Sequence, residues 1–198
     1  MLRQIPKLAL AVFGLIALSG CQGVYTKIPL QGTRDPRVPG VWQTQGETDT
    51  FEVRMDGEEY VAQPQGDDEK PLRFRIVRLD GAGALYVQSG SKPCEAFPGE
   101  AECYALARLV FTGTDAAQLF DFDTAAMFSA SLQENFGVGY EVRRKVGPSL
   151  PPGRPSTLST EFLLSGDPAQ LRAFLAKFGA RFTATKSVKY RRVMPKAP

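Results

Sequence analysis

Residues 50–62 read Thr50-Phe51-Glu52-Val53-Arg54-Met55-Asp56-Gly57-Glu58-Glu59-Tyr60-Val61-Ala62. Phe51, Val53 and Met55 alternate with Glu52, Arg54 and Asp56. A period of two is that of a strand with one buried and one wet face. Asp56-Gly57 follows and Tyr60-Val61-Ala62 resumes the apolar run, so the stretch predicts a β-hairpin.

Similar units continue along the chain. Leu72, Phe74 and Ile76 alternate with Arg73, Arg75 and Val77, a strand with one apolar and one cationic face. Asp80-Gly81-Ala82-Gly83 turns the chain into Leu85-Tyr86-Val87. Residues 104–111, 119–123, 138–146 and 158–164 are further strand candidates. Thr124 to Asn135 fits a short helix, capped by Asp123 or Thr124 and stopped by Gly137. Residues 148–155, PSLPPGRP, form a stiff connection. A clearer helix follows. Asp167 suits the N-cap, Pro168 the first turn and Gly179 the C′ position. Leu171, Phe174, Leu175 and Phe178 make one apolar stripe. Residues 182–193 return as a strand. The expected fold is β-rich (α+β): a small antiparallel sheet or barrel-like meander with one C-terminal covering helix.

The chain has 198 residues, of which 43% are hydrophobic and 23% charged, a globular rather than disordered composition. It contains no His, which excludes a Ser-His-Asp triad, a Cys-His pair, His-ligated zinc or haem, and an imidazole proton shuttle. Gly-x-Ser-x-Gly, Ser-x-x-Lys and a phosphate-binding glycine loop are also missing. No cofactor, metal site or enzymatic activity is expected.

Residues 1–23 read MLRQIPKLALAVFGLIALSGCQG. Arg3 and Lys7 precede an uncharged apolar run from Leu8 to Leu18, too short for a membrane span of about 20 residues. Small residues then lead to a cysteine, in Leu18-Ser19-Gly20-Cys21. This resembles the lipobox of bacterial lipoproteins. The resemblance implies diacylglyceryl transfer to the Cys21 thiol, cleavage before it, and acylation of the new amine. Two or three acyl chains hold far more firmly than one. It also implies an envelope location facing the periplasm. Gln22, in place of the Asp that tends to retain such proteins in the inner membrane, resembles the outer-membrane class. The expected organisation is a signal peptide over 1–20, a lipidated tether over 21–38 and one globular domain over 39–195. The leader carries two of the positive charges, so the formal +3 falls to about +1 once it is removed. Nucleic acid is not an expected partner.

Cys94 and Cys103 flank Pro98-Gly99, a turn signal. In an oxidising compartment two remaining cysteines usually pair. A structural disulfide closing a loop between two strands is expected.

Other candidates are weaker. Gly40-Val41-Trp42 resembles the Gly-x-Trp of the first lipocalin strand, which implies a barrel for apolar ligands with an Arg from a late strand over Trp42. Arg143 and Arg144 are candidates for that Arg; a lone core Trp is the alternative. Asp121 and Asp123 share one face if FDFD is extended, and could bind a hard cation or act as acid and base, with Glu134 as a third ligand. The plainer reading is a wet strand face or a helix cap. Asp67-Asp68-Glu69-Lys70 reads as a solvated loop. Arg73, Arg75, Arg78, Arg143, Arg144, Lys145, Arg191 and Arg192 would form a cationic surface for anionic lipid or glycan if their strands were neighbours.

Three functions follow as expectations. The first is a membrane-anchored, non-enzymatic binding or assembly module acting on another envelope component. The second is a lipocalin-like carrier with an apolar cavity above Trp42. The third is a hydrolase using Asp121 and Asp123.

Overall fold

The computed structural model describes residues 23–65, 70–79, 83–146 and 158–193. Residues 1–22, the 66–69 part of the acidic loop, residues 80–82 of the expected turn, the Pro-rich connection at 147–157 and residues 194–198 lie outside this description, and with them Cys21.

The hairpin that the sequence predicts is formed by β3 (Thr50–Asp56) and β4 (Glu59–Pro64), with Asp56 opposite Glu59. Gly57 turns it at φ +65°, a left-handed conformation that glycine adopts at little cost. The meander runs from β2 (Gly40–Thr44) through β3, β4, β5 (Leu72–Arg78), β6 (Leu85–Ser91) and β7 (Cys103–Phe111) to β8 (Ala116–Phe122). The last strand, β11 (Thr183–Arg192), pairs with β8 on one side and β2 on the other. These eight strands close an antiparallel barrel, which leaves its ring without an open edge.

The remaining elements form an annex on one side. β1 (Gly23–Thr26) pairs antiparallel with the first half of β7, where Val24 faces Leu106. The second half of β7, Arg108–Phe111, pairs with β8 instead, so the sheet forks along this one long strand. β1 also pairs parallel with β10 (Leu158–Ser165), and β10 pairs with the outermost strand, β9 (Gly139–Val146). Helix α1 (Thr124–Ser131) leads from β8 to β9, and α2 (Pro168–Phe178) from β10 to β11.

Two apolar cores result. One fills the barrel, from the inward residues of every strand. The other lies between its outer wall and the annex. There Val77, Tyr86, Leu106 and Phe122 meet the helices, β10, Val24 and Leu30. Val77, which the alternation assigns to a cationic outer face, is therefore fully buried.

The tether expected over 21–38 is corrected from Gly23 onward: these residues belong to the folded domain, which therefore includes residues before Pro39. After β1, residues 27–38 form a strap bound to three barrel strands. Leu30 N–H donates to Gln88 Oε1 (2.8 Å), Thr33 N–H to Ile76 O (2.6 Å) and Asp35 N–H to Tyr60 Oη (2.8 Å). Val24, Thr26, Leu30 and Val38 are buried. The Gly, Pro and charge content that suggests a tether instead serves a fixed, non-repetitive path across the barrel.

The other boundaries need smaller adjustment. Asp123, not Thr124, caps α1, which ends at Ser131 rather than Asn135. Asp167 and Gln170 form a reciprocal capping box at the start of α2. Gly179 ends that helix with right-handed angles (φ −59°, ψ −39°), so it is not the left-handed C′ glycine that its position suggests.

Candidate functional site

The barrel interior is built by strand alternation. Phe51 and Val53 of β3, Phe74 and Ile76 of β5, Val87 of β6, and Ala117 and Leu119 of β8 all point inward. They leave an apolar cavity of about 60 Å³, with Trp42, Phe111 and Tyr190 also on its wall. Pockets for drug-sized ligands measure roughly 300–1,000 Å³. Side chains thus occupy most of the space, and the remaining cavity suits only a slender apolar group.

Tyr190 is the polar exception. Its ring meets Phe51 edge-on, with centroids 5.7 Å apart. It is buried, and its hydroxyl has no hydrogen-bond partner among the described residues. Burial pushes its pKa well above the ordinary tyrosine range, and the negative charges of Glu47 and Asp121 push the same way.

The Trp42 end is closed by a layered cluster. Trp42 Nε1–H donates to Val38 O at 2.9 Å, which holds the strap against the barrel. Arg192 covers the Trp42 ring at 5.0 Å and donates from Nη2 to Arg37 O. Arg37 in turn covers Phe111 at 4.3 Å. Its guanidinium grips Asp35 through Nε to Oδ1 (2.9 Å) and Nη2 to Oδ2 (2.8 Å). Arg78 adds a bond to Oδ2 at 2.8 Å. The Asp35 side chain has no exposed surface. The hydrogen bonds from Arg37 dominate and hold its carboxyl below the usual range, although burial alone would raise it.

The Arg over Trp42 is therefore Arg192 of β11, not Arg143 or Arg144. Arg143 donates from Nη1 to Ala96 O (2.7 Å), and Arg144 covers Phe128. Sequence order could not select Arg192, because the closure of β11 onto β2 is a long-range pairing that puts Arg192 opposite Trp42.

The carboxylates of FDFD have separate tasks. Asp123 accepts from Ala126 N–H at 2.9 Å as the cap of α1. Asp121 shares the inward side of β8 with Ala117 and Leu119, and burial raises its pKa. Glu134 is held by Arg181 through two bonds of 2.7 and 2.6 Å. The expected trio of Asp121, Asp123 and Glu134 is not assembled, and the described residues contain no group of three possible metal ligands.

The arginines are spread over separated strands, with β6, β7, β1 and β10 between β5 and β9. Arg73 pairs with Asp56 (2.7 Å), Arg75 with Glu59 (3.0 Å) and Arg78 with Asp35. Arg191 donates to Gln43 Oε1 (2.8 and 2.6 Å). Arg73, Arg75, Arg78 and Arg191 are thus each engaged by a neighbouring side chain.

Cys94 and Cys103 form the expected disulfide, which closes the β6–β7 connection. Both are buried with Phe97 and Leu163, and Tyr25 of β1 packs alongside. The chain matches no known protein family, no curated protein and no solved structure.

Proposed function

We propose that this chain is a membrane-anchored envelope lipoprotein facing the periplasm, whose barrel acts as a non-enzymatic binding or assembly module. One observation carries the reading: a leader with its charges, apolar run, small residues and Cys in lipoprotein order. Cys21 then stands two residues before Gly23, the first residue of β1. An anchor there holds a folded domain close to the membrane, where even a weak contact with an envelope partner gains from high effective concentration.

Metabolic labelling with palmitate and intact mass measurement test this. The wild type should incorporate label and begin at an acylated Cys21, while Cys21→Ser should take up none. An unacylated chain that retains Met1 would overturn the reading. In vivo cross-linking should then capture an envelope protein.

The cavity favours a second reading, a carrier of a slender apolar ligand. Trp42, Phe51, Phe74, Phe111 and Leu119 line it, and its volume of about 60 Å³ limits what could enter without rearrangement. A native mass exceeding the denatured mass by a small apolar molecule would support it; equal masses would remove it.

A further inference from the structure

Gly23 opens a strand that is paired on both sides, with β10 and β7, and this limits where a lipid on Cys21 can go. Two residues span at most about 7 Å. The acyl chains of Cys21 would enter the hydrocarbon layer, beneath a headgroup region of roughly 5–8 Å per leaflet. Gly23 must then lie at the headgroup surface. Its neighbours follow from the register. Glu161 of β10 is directly paired with it, and Arg143 of β9 is paired with Glu161, about two strand spacings or roughly 10 Å away. On β7, Val24 faces Leu106, so Gly23 comes beside Ala107.

We propose that the lipidated protein lies side-on against the bilayer, with the start of β1 and the adjoining parts of β7, β10 and β9 at the headgroups. The inference rests on the acylation of Cys21. Its carrying observation is the two-residue interval between that cysteine and a strand fixed in the sheet. The opposite side is equally defined. In the closed ring β3 is four strands from β7 by either route, so β3 lies across the barrel from the strand that carries β1. Charge on the near side is compatible with phosphate headgroups: Arg144 is exposed, covers Phe128 and has no ion pair among the described residues. The bound strap prevents residues 27–38 from acting as a spacer, because Leu30, Thr33 and Asp35 are each tied to the barrel wall.

Full-length lipidated protein in nanodiscs containing a gadolinium-chelating lipid tests the orientation. Amide relaxation enhancement should be several-fold greater at Gly23, Ala107, Glu161 and Arg143 than at Glu52, Arg54 and Gly57. A spacer of about 15 Gly and Ser residues between Gln22 and Gly23, roughly 20 Å in root-mean-square length, should flatten that gradient. Equal enhancement of the two groups in the wild type, or a gradient that survives the spacer, would overturn the proposal. Intact mass of the same sample separates the two claims. An acylated chain without a gradient removes the orientation alone; an unacylated chain removes the anchor and the orientation together.

Discussion

Arg192 lies with its guanidinium carbon 5.0 Å from the centroid of the Trp42 ring, and the backbone of Gly40 makes room for it. A Cβ at Gly40 would stand 3.3 Å from Arg192 Nη1, on a backbone whose φ of +141° already disfavours other residues. The glycine, the tryptophan and the last strand are thus one unit that closes the barrel. Arg192→Ala should lower stability by about 1–2 kcal/mol, from the lost cation–π contact and hydrogen bond. Arg192→Lys should recover only part, since an ammonium cannot both cover the ring and keep the planar fork. Urea denaturation followed by fluorescence of Trp42, the sole tryptophan, measures both.

Two carboxylates should respond to pH in opposite directions. Asp35 is held below the usual range by Arg37, so its contribution is complete above its ordinary value of 3.8 and is lost as pH falls through the lower folded value. Asp35→Asn should cost about 1.5–3 kcal/mol at pH 7, the magnitude of charge-assisted hydrogen bonds. That difference should shrink in strong acid. Asp121 is raised by burial, so its charge destabilises the fold above its folded pKa, and protonation relieves the penalty as pH falls. Asp121→Asn should therefore stabilise at pH 7, and its advantage should vanish on acidification. Paired denaturation curves from pH 7 down to about pH 1 check the signs; an Asp121→Asn variant weaker at pH 7 would contradict the buried-charge account.

Tyr190→Phe removes a buried hydroxyl that lacks a partner among the described residues. The protein should keep its stability or gain up to about 1 kcal/mol. A clear loss, measured by thermal denaturation, would mean that the hydroxyl is satisfied by something bound in the cavity.

Reduction of Cys94–Cys103 should lower stability by about 2–3 kcal/mol in the chain-entropy account. The damage should reach beyond the loop, because Arg143 of β9 is bound to Ala96 O inside it. Hydrogen exchange after reduction should accelerate at β9 as well as at residues 94–103.

The sequence made the local elements legible and left their assembly obscure. The Phe51–Ala62 hairpin, the Asp167 cap and the Leu171–Phe178 stripe depend on neighbours within a few residues, and each forms as the pattern implies. Cys94 and Cys103 were legible because they are the only cysteines besides Cys21. By contrast, β1 is four residues long, and its burial depends on β7 and β10, far along the chain. Nothing local distinguishes Gly23–Thr26 from a tether. Closure by β11 is likewise non-local, and it decides both which Arg covers Trp42 and whether Asp121 faces inward. Asp123 was ambiguous for a different reason: a strand end and a helix cap use the same residue type.

Gly179 shows how a glycine can be required by packing alone. Its backbone is helical, so Gly179→Ala would ordinarily stabilise by about 0.4–1 kcal/mol through the unfolded chain. Here an added Cβ would fall 2.0 Å from Tyr86 Oη and 2.5 Å from Leu175 O. Tyr86 projects from β6 into the core beneath α2, where Phe174 and Phe178 leave it little room to withdraw. The sign should reverse, and Gly179→Ala should cost roughly 1–3 kcal/mol, as overpacking does. Tyr86→Phe removes the nearest obstacle and leaves Leu175 O and the ring carbon Cζ, 2.8 Å away, so it should relieve part of that cost. A double-mutant cycle by urea denaturation should give a coupling of at least about 0.5 kcal/mol between the two positions. Additive effects, or a stabilising Gly179→Ala, would mean that α2 stands farther from the barrel wall than the Tyr86–Gly179 contact requires.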